Sequence, residues 1–495
     1  MNIALLIIFA TAVMALLLGL RARKGRDMNL EQWSVGGRSF GTIFVFLLMA
    51  GEIYTTFSFL GASGNAYGKG ASTYYILAYQ ILAYVISYWL LPAIWRYAQR
   101  ERLLSQPQFF VHKYDSPVLG ILVALVGVLA LLPYLMLQLK GLGLIVSLAS
   151  YGAISSTVAV WIGSAIVTAY VIASGVRGAA WNAVVKDVLI LAVVVFLGIY
   201  LPVHYYGDLG TMFTAIDTAK PGYLTFPEKG QSVIWFQSTV LLTAIGFFMW
   251  PHTFNSVYTA RNERIFRRNA ALLPIYSLLL LFVFFVGFAA ILRVPGLSGG
   301  DIDLALLNLS LQTFDPWFVG VIGAAGLLTA LVPGAMILTT ASTILASDVY
   351  RAGMRRDASD AQVNKLARWL VPCVALAAIG LTLNGGTTIV ALLLMGYNFV
   401  TQLFPAVLCS LAARNPITKQ GAFCGILVGA IAVAAITLTK STVGGLFPFL
   451  PQTLKDLNVG MVALLLNIAV TAVVSLLTQH RTPAVATNAS QAGRA

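Results

Sequence analysis

Charge is scarce in this chain. Asp, Glu, Lys and Arg make up 10% of 495 residues, against 59% hydrophobic, whereas a soluble domain carries about 25% charged residues. That excludes an ordinary soluble protein. Cysteine is scarcer still. Cys373, Cys409 and Cys424 all fall in apolar segments, which excludes a disulfide framework or thiolate metal site and leaves them as small core residues. The four histidines have no partner at metal-ligand spacing. No nucleophile motif and no paired carboxylates appear, so an enzyme is not expected. A net charge of +14 would suggest nucleic acid in a soluble protein. Here the basic residues sit in short loops between apolar runs, so the charge reads as topogenic and no nucleic-acid partner is expected.

What is present is a succession of apolar runs of about 20 residues, each able to cross about 30 Å of hydrocarbon as a helix. They imply an all-α polytopic membrane protein. Ile3 to Leu20 is followed by Arg21, Arg23, Lys24 and Arg26. A signal peptide carries its charge before the apolar run, so this is a retained first span. A broken helix follows within 40–68. Further spans are predicted near 72–97, 117–149, 154–174, 179–204, 233–258, 269–293, 317–347, 366–384, 388–412, 418–438 and 459–479, thirteen in all. With the N-terminus outside and the C-terminus inside, inner segments hold 24 Lys/Arg and outer segments 6, with Lys140 inside a span. That bias follows the positive-inside rule. Three outer loops are long: 205–232, 294–316 and 439–458. The second has apolar residues at helical spacing and is expected to lie along the membrane surface or cap an outer mouth. The tail 480–495 reads as disordered.

Two spans are interrupted. In the first, an apolar stretch from Thr42 to Ala50 meets Gly51-Glu52, then Tyr54, Thr55, Thr56 and Ser58, then the small residues 61–64. A carboxylate in mid-membrane is costly unless it faces protein or water, which makes Glu52 a functional candidate. The alternative is a helix kinked for packing, with Glu52 tied to a neighbour. In the second, Gly246 and Trp250-Pro251 interrupt TAIGFFMWPHTF. Spans two to six and seven to eleven are sets of five, so the second set is inverted, and each set begins with its broken helix. Such paired breaks point to a mid-membrane binding site of a secondary transporter. The expected organisation is an extra helix in 1–24, inverted repeats in 38–204 and 233–412, and two extra helices in 413–479.

Five stretches, in order, resemble the sodium:solute symporter family. They are Ser34 to Phe40 (SVGGRSF), the broken helix itself, Gly175 to Asp187 (GVRGAAWNAVVKD), Pro251 to Arg268 (PHTFNSVYTARNERIFRR) and Ala341 to Arg351 (ASTILASDVYR). The bacterial branch that takes up small monocarboxylates is the nearest in kind, which implies a bacterial cytoplasmic membrane. The resemblance implies a ten-helix inverted-repeat core, alternating access, and a sodium site between core helices one and eight. Carried over, Ala50 and Ile53 would supply carbonyls, and three further ligand positions fall on Thr329, Val332 and Pro333. The family has hydroxyl residues at the last two. Here Val332 offers no side-chain oxygen, and Pro333 frees the carbonyl of Thr329 instead. The family also commonly has an Asp two residues after the Trp of its fifth core helix. Here that position is Ala183, with Asp187 one turn further on.

The coupling cation is therefore expected to be Na+ or H+, with Glu52 as the natural proton carrier, since burial raises a carboxyl pKa. No other cofactor is expected. Tyr54, Thr55 and Thr56 are placed to hydrogen-bond a solute or to bond back to helix carbonyls. Gln138, on the third core helix, is a site residue or helix–helix glue. Lys140 points away from Gln138 and is expected to snorkel outward rather than pair with an anion. It is the one cation expected inside the membrane. Phe247 and Trp250 are expected to wall the cavity or simply to pack. Tyr397, Asn398 and Gln402 put three polar groups within one and a half turns, at least one facing the cavity. His252 is expected to be structural. The expected function is a cation-coupled symporter of a small organic solute, a short monocarboxylate foremost. A channel or facilitator is the alternative. The partners are that solute and membrane lipid, and a small partner subunit is left open.

Overall fold

The computed structural model describes residues 2–23, 31–32, 38, 40–383 and 386–479. Most of the 34–40 stretch and the tail 480–495 lie outside the described residues. Within them the regular elements are helices, and one isolated bridge joins Phe40 to Ala260. Hydrocarbon offers no partner to a bare N–H or C=O, so apolar runs take the form that satisfies both internally. Ten helices among the described residues are long and apolar enough to cross a membrane, and the bent pair Val233–Met249 and Pro251–Tyr258 makes eleven. Two shorter apolar helices, Thr42–Gly51 and Ser156–Ile172, accompany them. The chain is an all-α, multi-pass membrane protein.

The core is built around Pro316–Ile344, whose residues 322–344 are all buried. A helix apolar on every side belongs in the middle of a bundle. Ile3–Arg23, Pro117–Ala149 and Ser156–Tyr206 pack against it. Ser156–Tyr206 is one helical run of 51 residues where two spans and a loop are predicted. It is not straight. Asn182 Nδ2 donates to the Tyr170 hydroxyl at 2.9 Å, 12 residues away, and a straight helix would hold these positions about 18 Å apart. The run therefore turns between them into two legs.

Both breaks are real departures from helix. Thr42–Gly51 ends, residues 52–55 form turns, and a π-helical segment starts at Phe57. Side chains replace the missing backbone partners: Thr55 N donates to Ser58 Oγ at 2.9 Å, and the Ser58 hydroxyl donates to the Ile53 carbonyl. At the second break Val233–Gly246 runs into a 3-10 turn, Phe247–Met249, and Trp250 is extended (φ −60°, ψ 129°) before Pro251–Tyr258. Proline disfavours helical backbone in the residue before it and suits the first position of a new helix. The pair is bent by 49°.

The 294–316 segment packs onto the helix bundle. Gly299–Leu304 and Ala305–Thr313 bury Ile302, Asp303 and Leu306 against the bundle. Gly64 allows the approach, because a Cβ there would lie 2.6 Å from the Ile302 carbonyl oxygen. One core assignment is corrected. Cys373 is exposed on Asp360–Leu383, while Cys409 and Cys424 are half-buried. In a membrane bundle an apolar run has a lipid face as well as a core face, and hydropathy does not separate them.

Candidate functional site

The two breaks meet. Glu52 Oε2 lies 3.1 Å from His252 Nε2, and the Tyr134 hydroxyl donates to the same oxygen at 3.4 Å. The Glu52 and His252 side chains are 6% and 0% exposed. Aromatic rings close over this pair. Trp250 packs at a tilt against Tyr134 with centroids 4.9 Å apart and meets Tyr397 edge-on at 5.2 Å. Tyr79 touches Tyr397 at 5.6 Å and Phe247 at 6.3 Å. Such rings offer an apolar wall, and the tyrosine hydroxyls add polar points on it.

Of the residues singled out from sequence, Glu52, Phe247, Trp250 and Tyr397 thus share one cluster. Tyr79 and Tyr134 were missed. Tyr134 lies one turn before Gln138 on the same helix face, a spacing that would have flagged it. Gln138 is buried, and neither amide atom has a hydrogen-bond partner. Its Cβ faces Gly334 of the central helix, 3.8 Å from where a Cβ would stand. Thr56 packs on Gly141, with a buried hydroxyl that likewise has no partner. Thr55 Oγ1 accepts from Phe57 N at 3.2 Å, a local bond that shapes the turn. Tyr54 points instead to Tyr276, edge-on at 5.4 Å. Asn398 faces Gly460 of the last helix. Gln402 donates to the Asn398 and Gly460 carbonyls at 3.0 and 3.4 Å and accepts from Asn467 at 3.1 Å. Gln402 thus ties its helix to the last one, and Asn398 lies against the same neighbour.

At the positions that the resemblance assigns to sodium, the oxygens present already take part in local hydrogen bonds. The Ala50 carbonyl accepts from Ile53 N at 2.9 Å and Tyr54 N at 3.4 Å, and that of Ile53 accepts the Ser58 hydroxyl. The Thr329 hydroxyl donates to Gly326 O at 2.7 Å. Val332 and Pro333 are buried in the same helix without side-chain oxygens. What stands at the break is Lys186. Its ammonium donates to Gly51 O at 3.1 Å and Tyr54 O at 2.9 Å, and lies 3.0 Å from Asp187 Oδ1. The side chain is 0% exposed. Lys186 counted as a topogenic inner residue from sequence. It is instead a second cation inside the bundle, and the inner count falls from 24 to 23.

Lys140 also departs from expectation. It does not snorkel to water: its ammonium lies 2.7 Å from Asp303 Oδ2 and donates to Thr387 O at 2.9 Å. Asp303, fully buried, also accepts from Ile389 N at 2.9 Å. A buried carboxylate outweighs the pull of the interface on a flexible lysine. This knot fastens the Gly299–Leu304 turn to Lys140 and to the start of the Ile389–Val400 helix. On the chain around the second break, the Gln106 amide donates to Met249 O at 2.8 Å and the Trp95 indole to Ala260 O at 2.8 Å. Trp250 and His252 are buried.

Three comparisons place this geometry. The model of the sodium:solute symporter family matches residues 33–429. The uncharacterized symporter YhjB of Bacillus subtilis (strain 168) is 63% identical over 490 residues, which cover 99% of this chain and 100% of that one. A monocarboxylate transport permease protein of Rhizobium johnstonii is 28% identical over 468 residues, 92% of each chain. The fold is shared with a substrate-bound, outward-open Na+-coupled sialic acid symporter, with TM-score 0.78 and 17% identity over 96% of this chain and 98% of that one. The chain is a transporter rather than an enzyme, and it belongs to the sodium:solute symporter family.

Proposed function

We propose that this cation-coupled symporter imports a short monocarboxylate across the bacterial cytoplasmic membrane by alternating access, with the N-terminus outside and the C-terminus inside. The observation that carries the reading is the junction of the two broken helices at Glu52 and His252. Each break opens one of the two proposed inverted repeats, 38–204 and 233–412. A solute held there touches both halves, and rocking one half against the other changes which side it faces.

Gln138 supports a carboxylate. An amide with both polar atoms buried and unpartnered costs about 1–3 kcal/mol by mutational measures. A bound carboxylate would accept from its NH2, and Tyr134 and Tyr397 offer hydroxyls on the same wall. The 28% identity to a monocarboxylate permease points the same way. A small apolar tail would rest on Phe247 and Trp250. A channel fits less well, since selectivity filters are commonly built by symmetric assembly of repeated segments, whereas here one chain builds the cluster.

Uptake of radiolabelled lactate into proteoliposomes, under imposed sodium or proton gradients, tests the proposal. Pyruvate and acetate should compete, an amino acid such as proline should not, and accumulation should vanish when the gradient is dissipated. Accumulation of proline with no effect of monocarboxylates would refute the solute assignment. Downhill flux that ignores every cation gradient would make the chain a facilitator.

A further inference from the structure

The break after Gly51 strands carbonyls that an unbroken helix would use. The C-terminal end of Thr42–Gly51 also carries the negative pole of its helix dipole. Such a place attracts a cation, and unwound carbonyls in transporters of this design commonly coordinate one. Here Lys186 supplies it. An ammonium has three N–H donors, and three oxygens surround this one: Gly51 O at 3.1 Å, Tyr54 O at 2.9 Å and Asp187 Oδ1 at 3.0 Å. Both carbonyls belong to residues directly following Ala50 and Ile53. Across the interface, Val332 and Pro333 bring no side-chain oxygen. Two side-chain oxygens are missing and a charge is already present, two departures from the family's sodium site that compensate each other. Gly51 adds a steric detail: even its hypothetical Cβ would stand 3.4 Å from the Lys186 nitrogen, so the ammonium lies close against the backbone.

We propose that Lys186 is a tethered cation. Its ammonium holds, at the first break, the charge that a free cation would otherwise bring, so no free sodium binds between this break and the central helix. Whatever cation drives transport acts elsewhere. The proposal rests on the reading of the chain as a symporter and is independent of the solute.

Deleting the tether should therefore create a cation site that the wild type lacks. The full chain is purified in detergent, and binding of radioactive sodium and the unfolding temperature are measured without solute, in sodium, ammonium or choline chloride. Lys186→Ala should gain saturable sodium binding about tenfold above wild type, and sodium or ammonium should raise its Tm by about 3 °C over choline. Wild type should show no such rise. Equal sodium stabilisation of wild type and variant, or no gain in the variant, overturns the proposal. If Lys186→Ala is recovered in no salt, Thr329→Ala decides, since Thr329 is the one side-chain oxygen left among the assigned ligands. In the same solute-free binding and unfolding measurements, Thr329→Ala should respond to sodium as wild type does, and a tenfold loss of sodium binding relative to wild type overturns the tether. Because binding and stability are read without solute, failure here leaves the monocarboxylate assignment untouched, and failure there leaves this one untouched.

Discussion

Glu52 and His252 lie 200 residues apart and end up 3.1 Å from each other. The two are not equally replaceable. His252→Ala leaves the buried Glu52 carboxyl with only the long Tyr134 bond, and a buried polar group stripped of a partner costs about 1–3 kcal/mol. Glu52→Gln keeps an amide oxygen for His252, so it is expected to cost less, about 0.5–1.5 kcal/mol. Thermal unfolding in detergent should rank His252→Ala below Glu52→Gln, and a reversed order would show that His252 is not the partner that holds Glu52. At this scale the sequence was informative about Glu52, since a carboxylate flanked by apolar residues is costly wherever the chain goes. It was silent on Lys186. A lysine near the end of a span usually reaches water, and only its neighbours reveal that this one does not.

Among elements, the seating of the Gly299–Leu304 turn depends on close backbone approach. Ala62–Lys69 and the Gly299–Leu304 turn touch at Gly64, where an added Cβ would lie 2.6 Å from Ile302 O and 2.9 Å from Asp303 Cα. Backbone cannot swing aside like a side-chain tip, so Gly64→Ala should destabilise by about 1–3 kcal/mol and loosen the turn. A cysteine at the exposed position Ser298 should then react faster with a water-soluble maleimide. Unchanged labelling and Tm would mean that the contact is not required. The Lys140–Asp303 pair holds the same turn from its other side. Lys140→Met strands a fully buried carboxylate and should cost about 3–5 kcal/mol. Lys140→Met with Asp303→Asn should recover part of that in unfolding experiments. No recovery would assign the loss to packing of the lysine stem.

For the whole molecule, the predicted orientation is directly measurable. In a background with Cys373, Cys409 and Cys424 replaced by alanine, Lys229→Cys and Arg355→Cys place single thiols at exposed positions of opposite predicted sides. An impermeant maleimide added to intact cells should label Lys229→Cys, and should label Arg355→Cys only after lysis. The opposite pattern would invert the topology and, with it, the direction assigned to each half. With Lys186 removed from the count, the basic bias stands at 23 to 6, still strong under the positive-inside rule.

Hydropathy and breakers were enough to define this protein as a helical membrane bundle interrupted at Gly51-Glu52 and Trp250-Pro251. Both signals are local: a run of apolar residues seeks hydrocarbon, and a proline or glycine acts on its immediate backbone, whatever the distant chain does. Tertiary packing decided everything that depends on which helix faces which. It paired Glu52 with His252, drew Lys186 onto the broken carbonyls, turned Lys140 to Asp303, and set Asn398 against the last helix. A sequence gives the angle at which a side chain leaves its helix. The partner waiting at that angle, and so whether a buried charge is neutralised there, is a property of the assembled bundle alone.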